Sequence, residues 1–176
     1  MGKKVILTGS EIRKMREAGR ITIEPYLPGQ INPNSYNYRL GPKLGVPRIE
    51  GEAISFDFID IPPEGYQLQP HTMYLGHTYE VLGSDAFAMR LIGRSSLGRY
   101  GLFLQVSADL GHTGSAHQWT LEIVAAKPII LYPYMRIGQI SFWENFGKPD
   151  LYREGYSAHN EPTVSKFMIN KPENTL

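Results

Sequence analysis

The chain has 176 residues, with 18 basic and 17 acidic side chains and no cysteine. Its net charge of +1 is too small for nonspecific binding to a long nucleic acid, which depends on many phosphate contacts. The absence of cysteine excludes disulfides, thiolate metal sites and a thiol nucleophile. Length and composition predict one domain over residues 1–176, in which any chemistry uses oxygen and nitrogen groups.

The N-terminal segment predicts a short helix. The apolar run in MGKKVILTGS is too short for a signal peptide, and no apolar stretch approaches a membrane span, so we expect a soluble cytoplasmic chain with no membrane partner. Thr8 and Glu11 have capping-box spacing at the start of EIRKMREAG. Ile12 and Met15 fall on one face of that helix, and Gly19 follows as a C-terminal stop.

Eight short runs rich in β-forming residues follow the predicted helix. They are ITIEPY, SYNYRL, MYLGHTYEVL, AFAMRLIG, LFLQVSADL, WTLEIVAA, IILYPY and RIGQISFW. Because their close spacing leaves no room for crossover helices, we predict a mainly β fold, a distorted antiparallel β-barrel or jelly roll. Strand alternation is lost from residue 147 onward, so residues 147–176 are predicted to form a tail, either disordered or a flap that orders over a site.

The segment GRSSLGRYG, residues 93–101, contains two arginines, two serines and three glycines. Arginine side chains, hydroxyl groups and glycine-exposed backbone amides all offer hydrogen-bond donors to phosphate oxygens. The pattern therefore favours an anion-binding turn. The same composition also fits a solvated turn between two strands.

The five histidines do not follow a metal-binding pattern. His71 and His77 have an even spacing that could place them on one face of a strand, but no third ligand joins them at a suitable distance in sequence. His112 and His117 lie in a glycine-containing segment and are interpreted as polar loop residues. Because a zinc nucleotide deaminase also needs cysteine ligands, we predict no metal ligand in this chain.

Glu122 lies between Leu121 and Ile123 in the apolar run WTLEIVAA. A carboxylate seldom occurs in such a run unless its side of the strand meets a partner, a polar cavity or solvent. Glu122 is therefore either a residue on the wet face of an edge strand or a general base in a partly desolvated pocket. Combined with the arginine and serine segment, the second interpretation indicates a nucleotide enzyme that activates water without zinc.

The segments GRSSLGRYGLFLQVSAD, TLEIV and RIGQISF together resemble the dCTP deaminase family, a relative of the trimeric dUTPases. INPNSYNYRLG and LQPHTMYLGHTYEVL extend the resemblance to about residues 5–143. It implies a distorted β-barrel protomer, a homotrimer with active sites between subunits, and hydrolytic deamination of dCTP to dUTP and ammonia. It also implies Mg²⁺ bound through the nucleotide triphosphate, no zinc, and dTTP as an inhibitor.

Carried over position by position, the resemblance implies three catalytic residues. Glu122 would take a proton from the water that attacks C4 of cytosine and then protonate the departing nitrogen. Ser95 and Arg99 would position the water, the base and the developing charge. The further substrate-binding positions are Arg94, Ser96 and Gly98 in the triphosphate turn, Thr120 and Leu121 at the pyrimidine edge, and Gln139.

Three tail residues and one loop residue complete the implied site. Tyr156, Lys166 and Asn170 match nucleotide-binding positions in the family's tail, and ordering of such a segment would exclude bulk water. His112 stands where the family usually has an aspartate that contacts the sugar 3′-hydroxyl. Histidine can still accept from that hydroxyl through one ring nitrogen.

The loop HTGSAH and Asn37 depart from the family pattern. His112 and Asn37 each replace an aspartate, and the first of these aspartates also orients the hydrolytic water in dUTPases. Deamination alone is therefore favoured over a bifunctional enzyme that converts dCTP to dUMP. A nucleotide-binding sensor without catalysis is a third hypothesis, and dCMP, CTP or a modified cytosine nucleotide stay open as substrates.

Overall fold

The computed structural model describes residues 5–50, 53–104, 108–157 and 159–166. Its helices are α1 (Gly9–Glu17), a 3-10 helix (Pro28–Gln30) and α2 (Ser95–Tyr100). Within these ranges, no helix combines the length and the apolar character needed to cross a membrane.

The predicted N-terminal helix is confirmed as α1. Ile12 is fully buried on its inner face. The helix ends where Gly19 takes a φ of 69°, and the Arg20 N–H donates to the Met15 carbonyl at 2.8 Å. A left-handed glycine followed by this hydrogen bond is a common helix stop.

The predicted capping box at the start of α1 is wrong. Thr8 makes no side-chain cap, and its Oγ1 lies 3.1 Å from Ser10 Oγ. Glu11 accepts from Lys14 Nζ at 3.4 Å. Both side chains thus have local partners that replace the reciprocal contacts of a capping box.

The described residues form fourteen strands. In chain order they are β1 (Thr22–Glu24), β2 (Tyr36–Arg39), β3 (Lys43–Glu50), β4 (Ala53–Asp60), β5 (Tyr66–Leu68), β6 (Met73–His77), β7 (Val81–Gly83), β8 (Phe87–Gly93), β9 (Leu102–Leu104), β10 (Leu110–Gly111), β11 (Ala116–His117), β12 (Thr120–Ala125), β13 (Ile129–Leu131) and β14 (Arg136–Glu144).

These strands pair antiparallel throughout. They form a five-stranded sheet in the order β4-β3-β6-β12-β9, a four-stranded sheet β10-β8-β14-β2, a three-stranded sheet β1-β7-β11 and a two-stranded sheet β13-β5. The sheets surround an apolar core whose members run from Leu7 to Phe142. The predicted mainly β fold, a distorted antiparallel barrel with a short N-terminal helix, is confirmed.

Two parts of the strand prediction are wrong. The run MYLGHTYEVL forms two strands in different sheets, β6 and β7, because the chain turns between them at a buried ion pair. Glu80, fully buried in that turn, accepts from Arg39 Nε at 2.7 Å and from the Arg39 N–H at 2.8 Å. The predicted strands also do not include the long β3–β4 hairpin, because Gly45 and Pro47 interrupt the strand pattern of β3.

The strand β12 determines where the candidate site lies. It runs between β6 and β9, so the interpretation of Glu122 as an edge-strand residue is wrong. The predicted alternation is present. The core-facing residues are Leu121, Ile123 and Ala125, and the half-buried residues of the opposite, outward face are Thr120, Glu122 and Val124.

Candidate active site

Glu122 lines a cavity of about 440 Å³, here called the carboxylate cavity. The outward face of the five-stranded sheet contributes Leu75, which lies opposite Glu122 in the ladder, and Phe56 and Met73. The loop before β12 and the tail contribute the other sides. Most of this lining is apolar or aromatic, so the carboxylate lies in a partly desolvated environment.

Aromatic rings make up much of the carboxylate cavity. The rings of His117 and Trp119 have centroids 4.3 Å apart, and those of His112 and Tyr152 are 5.4 Å apart. In the tail, Tyr156 lies 5.7 Å from His159. Flat rings of this kind provide surfaces on which a nucleobase or a sugar can pack.

The tail is held over the carboxylate cavity by hydrogen bonds to the strand and loop beneath it. The Thr163 N–H donates to Thr120 Oγ1 at 3.1 Å. The Gln118 N–H donates to Asn160 Oδ1 at 3.0 Å. The described part of the tail therefore covers the cavity that contains Glu122.

His117 connects the loop to the tail. Its ring is buried, and Nδ1 donates to the His159 carbonyl at 2.9 Å. Burial lowers the pKa of His117 below its ordinary value, although the Gln118 and His159 carbonyls oppose that shift. The imidazole is therefore neutral near neutral pH, with its proton on Nδ1.

The segment 93–101 contains the helix α2 and borders a second cavity of about 520 Å³, here called the α2 cavity. Arg94 precedes the helix, and Gly101 ends it with a φ of 98°. Gly98 has open space where a Cβ would lie. A ligand can therefore approach the backbone at Gly98 closely.

The two cavities are neighbours along β12. Glu122 lines the carboxylate cavity, and Val124, two residues further on the same face, lines the α2 cavity. That step along a strand is about 7 Å. Phe103, which lies opposite Val124 in the ladder, also lines the α2 cavity.

The predicted site residues divide between these cavities. The carboxylate cavity contains Glu122, His112, Thr120 and Tyr156. The α2 cavity contains Arg94, Ser95, Gly98 and Gln139. Within one chain, the predicted base and the predicted anion-binding residues therefore face different cavities.

The other predicted residues lie outside both linings. The Leu121 side chain packs in the core, so only its backbone can contact a ligand. Ser96 and Arg99 are exposed on α2. Lys166 lies beside Tyr156, to whose hydroxyl its N–H donates at 2.8 Å. Asn170 lies outside the described residues.

Several lining residues were not predicted, namely His117, Trp119, Tyr152, His159 and Thr163. The interpretation of His117 as a polar loop residue is wrong, because its ring is buried against Trp119. The one sequence signal was the concentration of rings in residues 112–119 and 152–159. Local patterns do not reveal that these two segments meet.

The prediction that His71 and His77 could share one face of a strand is also wrong. His71 precedes β6 and has a φ of 57°, whereas His77 is buried within β6. Among the residues that the structure describes, no three His, Asp or Glu side chains lie close enough to hold a metal ion.

Sequence comparisons identify similar proteins over most of the chain. A family model described as dCTP deaminase-like matches residues 6–145. A dCTP deaminase of Rhodopirellula baltica is 40% identical over 162 residues, covering 89% of this chain and 81% of that protein. A "dCTP deaminase, dUMP-forming" of Clostridium beijerinckii is 39% identical over 170 residues, covering 93% and 96%.

A solved structure has a similar fold. The crystal structure of 2′-deoxycytidine 5′-triphosphate deaminase from Agrobacterium tumefaciens matches with a TM-score of 0.67 and 23% sequence identity. The match covers 81% of this chain and 49% of that chain, so this chain spans about half the length of that protein.

Proposed function

We propose, from the premise that the chain belongs to the dCTP deaminase-like family, that it hydrolytically deaminates dCTP to dUTP and ammonia. The observation that carries the proposal is the position of Glu122 in a largely apolar cavity, on a chain that also has a separate cavity bordered by Arg94 and Ser95. The first environment suits proton transfer, and the second suits phosphate binding.

In this proposal Glu122 acts first as a general base and then as a general acid. It removes a proton from water while the water oxygen forms a bond to C4 of cytosine. It then delivers a proton to the exocyclic nitrogen, the C4–N bond breaks and ammonia leaves. Glu122 passes the first water proton to N3 as the C4–N3 double bond becomes single, and it passes the second, from the C4 hydroxyl, to the leaving nitrogen as the C4–O double bond forms. Cover by the tail supports this role, because it limits competition from bulk water.

The α2 cavity holds the triphosphate. Arg94 supplies a positive charge, Gly98 leaves space for a phosphate beside the backbone, and Gln139 adds a side-chain amide from β14. Mg²⁺ enters as part of the substrate, coordinated by phosphate oxygens and water. Ser95 and Arg99 orient the water and stabilise the developing charge.

A second copy of the chain completes the site in this proposal, since Glu122 and Ser95 line different cavities of one protomer. An apolar surface beside both cavities supports an interface. On the outward face of the five-stranded sheet, Phe58, Met73 and Phe103 are 45%, 40% and 46% exposed. We propose a homotrimer with sites between subunits. Sedimentation equilibrium should give three times the chain mass, and a monomer would contradict this arrangement.

A nucleotide assay tests the proposed function. The purified protein is incubated with dCTP, dCMP or CTP in the presence of Mg²⁺, and ammonia and uracil nucleotides are quantified. We expect equimolar ammonia and dUTP from dCTP. Saturable dCTP binding with no ammonia would contradict deamination and would favour a nucleotide-binding sensor.

Formation of dUMP and diphosphate by the same protein is a second candidate function. The names of several similar proteins, described as dUMP-forming, favour it. His112 and Asn37, which stand where the family resemblance places aspartates, favour deamination alone. Chromatography of the dCTP reaction separates the two candidates, because only the second releases diphosphate.

A further inference from the structure

Four polar side chains form a series of hydrogen bonds that leads from the turn before β2 to the α2 cavity. Asn37 Nδ2 donates to Asn32 Oδ1 at 3.3 Å, and Asn32 Nδ2 donates to Ser35 Oγ at 3.1 Å. Ser35 Oγ donates to Gln139 Oε1 at 2.8 Å. Gln139 Nε2 then lies 3.4 Å from the Gly93 carbonyl, next to Arg94.

The hydrogen bonds of this series all donate in the same direction, toward Gln139. Because Asn32 gives an amide N–H to Ser35, the Ser35 oxygen is already an acceptor, and its own proton is directed to Gln139. Gln139 therefore has its oxygen toward Ser35 and its NH₂ group toward Gly93 and the α2 cavity.

The backbone fixes the positions of these side chains. Asn37 lies opposite Gln139 in the β2–β14 ladder, which places Ser35 diagonally from Gln139 on the same face. The turn is closed by the Asn32 N–H, which donates to the Ser35 carbonyl at 2.8 Å. Ser35 and Asn37 are each 7% exposed, so solvent has little access to replace their contacts.

The orientation of Gln139 matters for an anion. A carboxamide presents two N–H donors at one end and oxygen lone pairs at the other. With its NH₂ group toward the α2 cavity, Gln139 can donate to a phosphate oxygen. In the reversed orientation its carbonyl oxygen would repel that phosphate.

We propose that Ser35 is a positioning residue that holds the Gln139 amide with its donors toward the triphosphate. Ser35 acts through Gln139 and does not itself contact the nucleotide. The inference rests on the proposed function, because it takes the anion in the α2 cavity to be the triphosphate of dCTP.

A double-mutant cycle on dCTP binding tests this role. All variants carry Glu122→Gln so that dCTP is not consumed, and affinity is measured by titration calorimetry. Ser35→Ala should weaken dCTP binding by about threefold to tenfold, the effect of one neutral hydrogen bond. Ser35→Thr keeps the hydroxyl and should restore most of the affinity. Ser141→Ala, on the same face of β14, is the matched control and should bind normally.

The decisive comparison is the background with Gln139→Ala. Ser35→Ala should then cause no further loss, because the side chain through which it acts is gone. Inorganic tripolyphosphate, which has no base or sugar, should show the same pattern. Equal losses with and without Gln139, or unchanged binding in Ser35→Ala, would overturn the positioning role.

Failure of the inference and failure of the proposed function give different results. If the unmutated protein releases no ammonia from dCTP, the proposed deamination fails whatever the binding cycle shows. If it deaminates dCTP while Ser35 and Gln139 contribute independently to binding, the positioning role alone fails. Thermal unfolding of each variant separates loss of binding from loss of folded protein.

Discussion

The carboxylate cavity and the α2 cavity lie side by side on one strand face, yet they differ in composition and cover. Rings and apolar side chains surround Glu122, and the tail lies over it, tied down by contacts such as Thr163 to Thr120 at 3.1 Å. The α2 cavity is also lined largely by apolar side chains, but it has an arginine, a serine and an amide along one side, beside an exposed helix. A proton-transfer group benefits from exclusion of water, whereas a triphosphate needs cationic donors that it can reach from solvent. The two tasks thus fall to two separate cavities, which the proposed oligomer brings together from neighbouring subunits.

Replacing the carboxylate should give the largest effect. Glu122→Gln should lower the turnover of dCTP by about 10²–10⁴-fold, because the amide cannot accept the water proton. The dissociation constant for dCTP should change little. Ammonia release and calorimetry measure the two quantities. Glu144→Gln, at the exposed end of β14, is the control. Near-normal turnover in Glu122→Gln would remove the proposed base.

Removing the positive charge of Arg94 in the α2 cavity should weaken the binding of dCTP. Arg94→Ala should weaken dCTP binding by about 10–100-fold, the loss expected for a charge-assisted contact to phosphate. Binding of deoxycytidine, which has no phosphate, should be unaffected. Arg13→Ala on α1 serves as the control. Equal losses for dCTP and deoxycytidine would argue against phosphate binding in this cavity.

Gly98 allows a test of ligand approach without a change in the fold. The space around its Cβ position is open and it lies within α2, so Gly98→Ala should leave the melting temperature unchanged or slightly raised. The added methyl group should nevertheless weaken dCTP binding by about threefold to tenfold if phosphate oxygens approach this backbone. Unchanged binding would show that the ligand does not come close to Gly98.

A substitution at Gly114 tests how the tail packs over the carboxylate cavity, and it should have the smallest effect on activity. Its φ is 106°, and a Cβ there would lie 2.7 Å from the Tyr152 nitrogen in the tail. Gly114→Ala should therefore cost about 1–3 kcal/mol of unfolding free energy and loosen the tail, with a small rise in KM. Gly29→Ala, which has open space and no positive φ, is the matched control. Urea unfolding and limited proteolysis of the tail measure the outcome, and equal stability of the two variants would contradict the packing role.

The parts of the site that follow local periodicity could be predicted from the sequence. Alternation in TLEIVA was enough to place Glu122 on the face opposite Leu121 and Ile123. The residue types in GRSSLGRYG predicted a donor-rich segment, although they did not predict that it forms a short helix. In each case neighbours in sequence determine the arrangement.

The parts that depend on distant contacts could not be predicted in this way. The burial of His117 results from its contact with the carbonyl of His159, 42 positions away. The break between β6 and β7 results from the ion pair of Glu80 with Arg39, 41 positions away. The absence of a capping box at Thr8 depends on which of several polar neighbours its side chain meets. Pattern and spacing carry no information on these pairings.

The most direct test of the account asks whether the two cavities are halves of one site. Glu122→Gln and Ser95→Ala chains are co-expressed with different tags, and oligomers that contain both are purified. Each variant alone should release ammonia more slowly than the unmutated protein. If one subunit supplies Glu122 and its neighbour supplies Ser95, each mixed trimer should rebuild one site, roughly a third of the total, with ammonia release in proportion. Mixed oligomers that bind dCTP but release no ammonia would contradict a site shared between subunits.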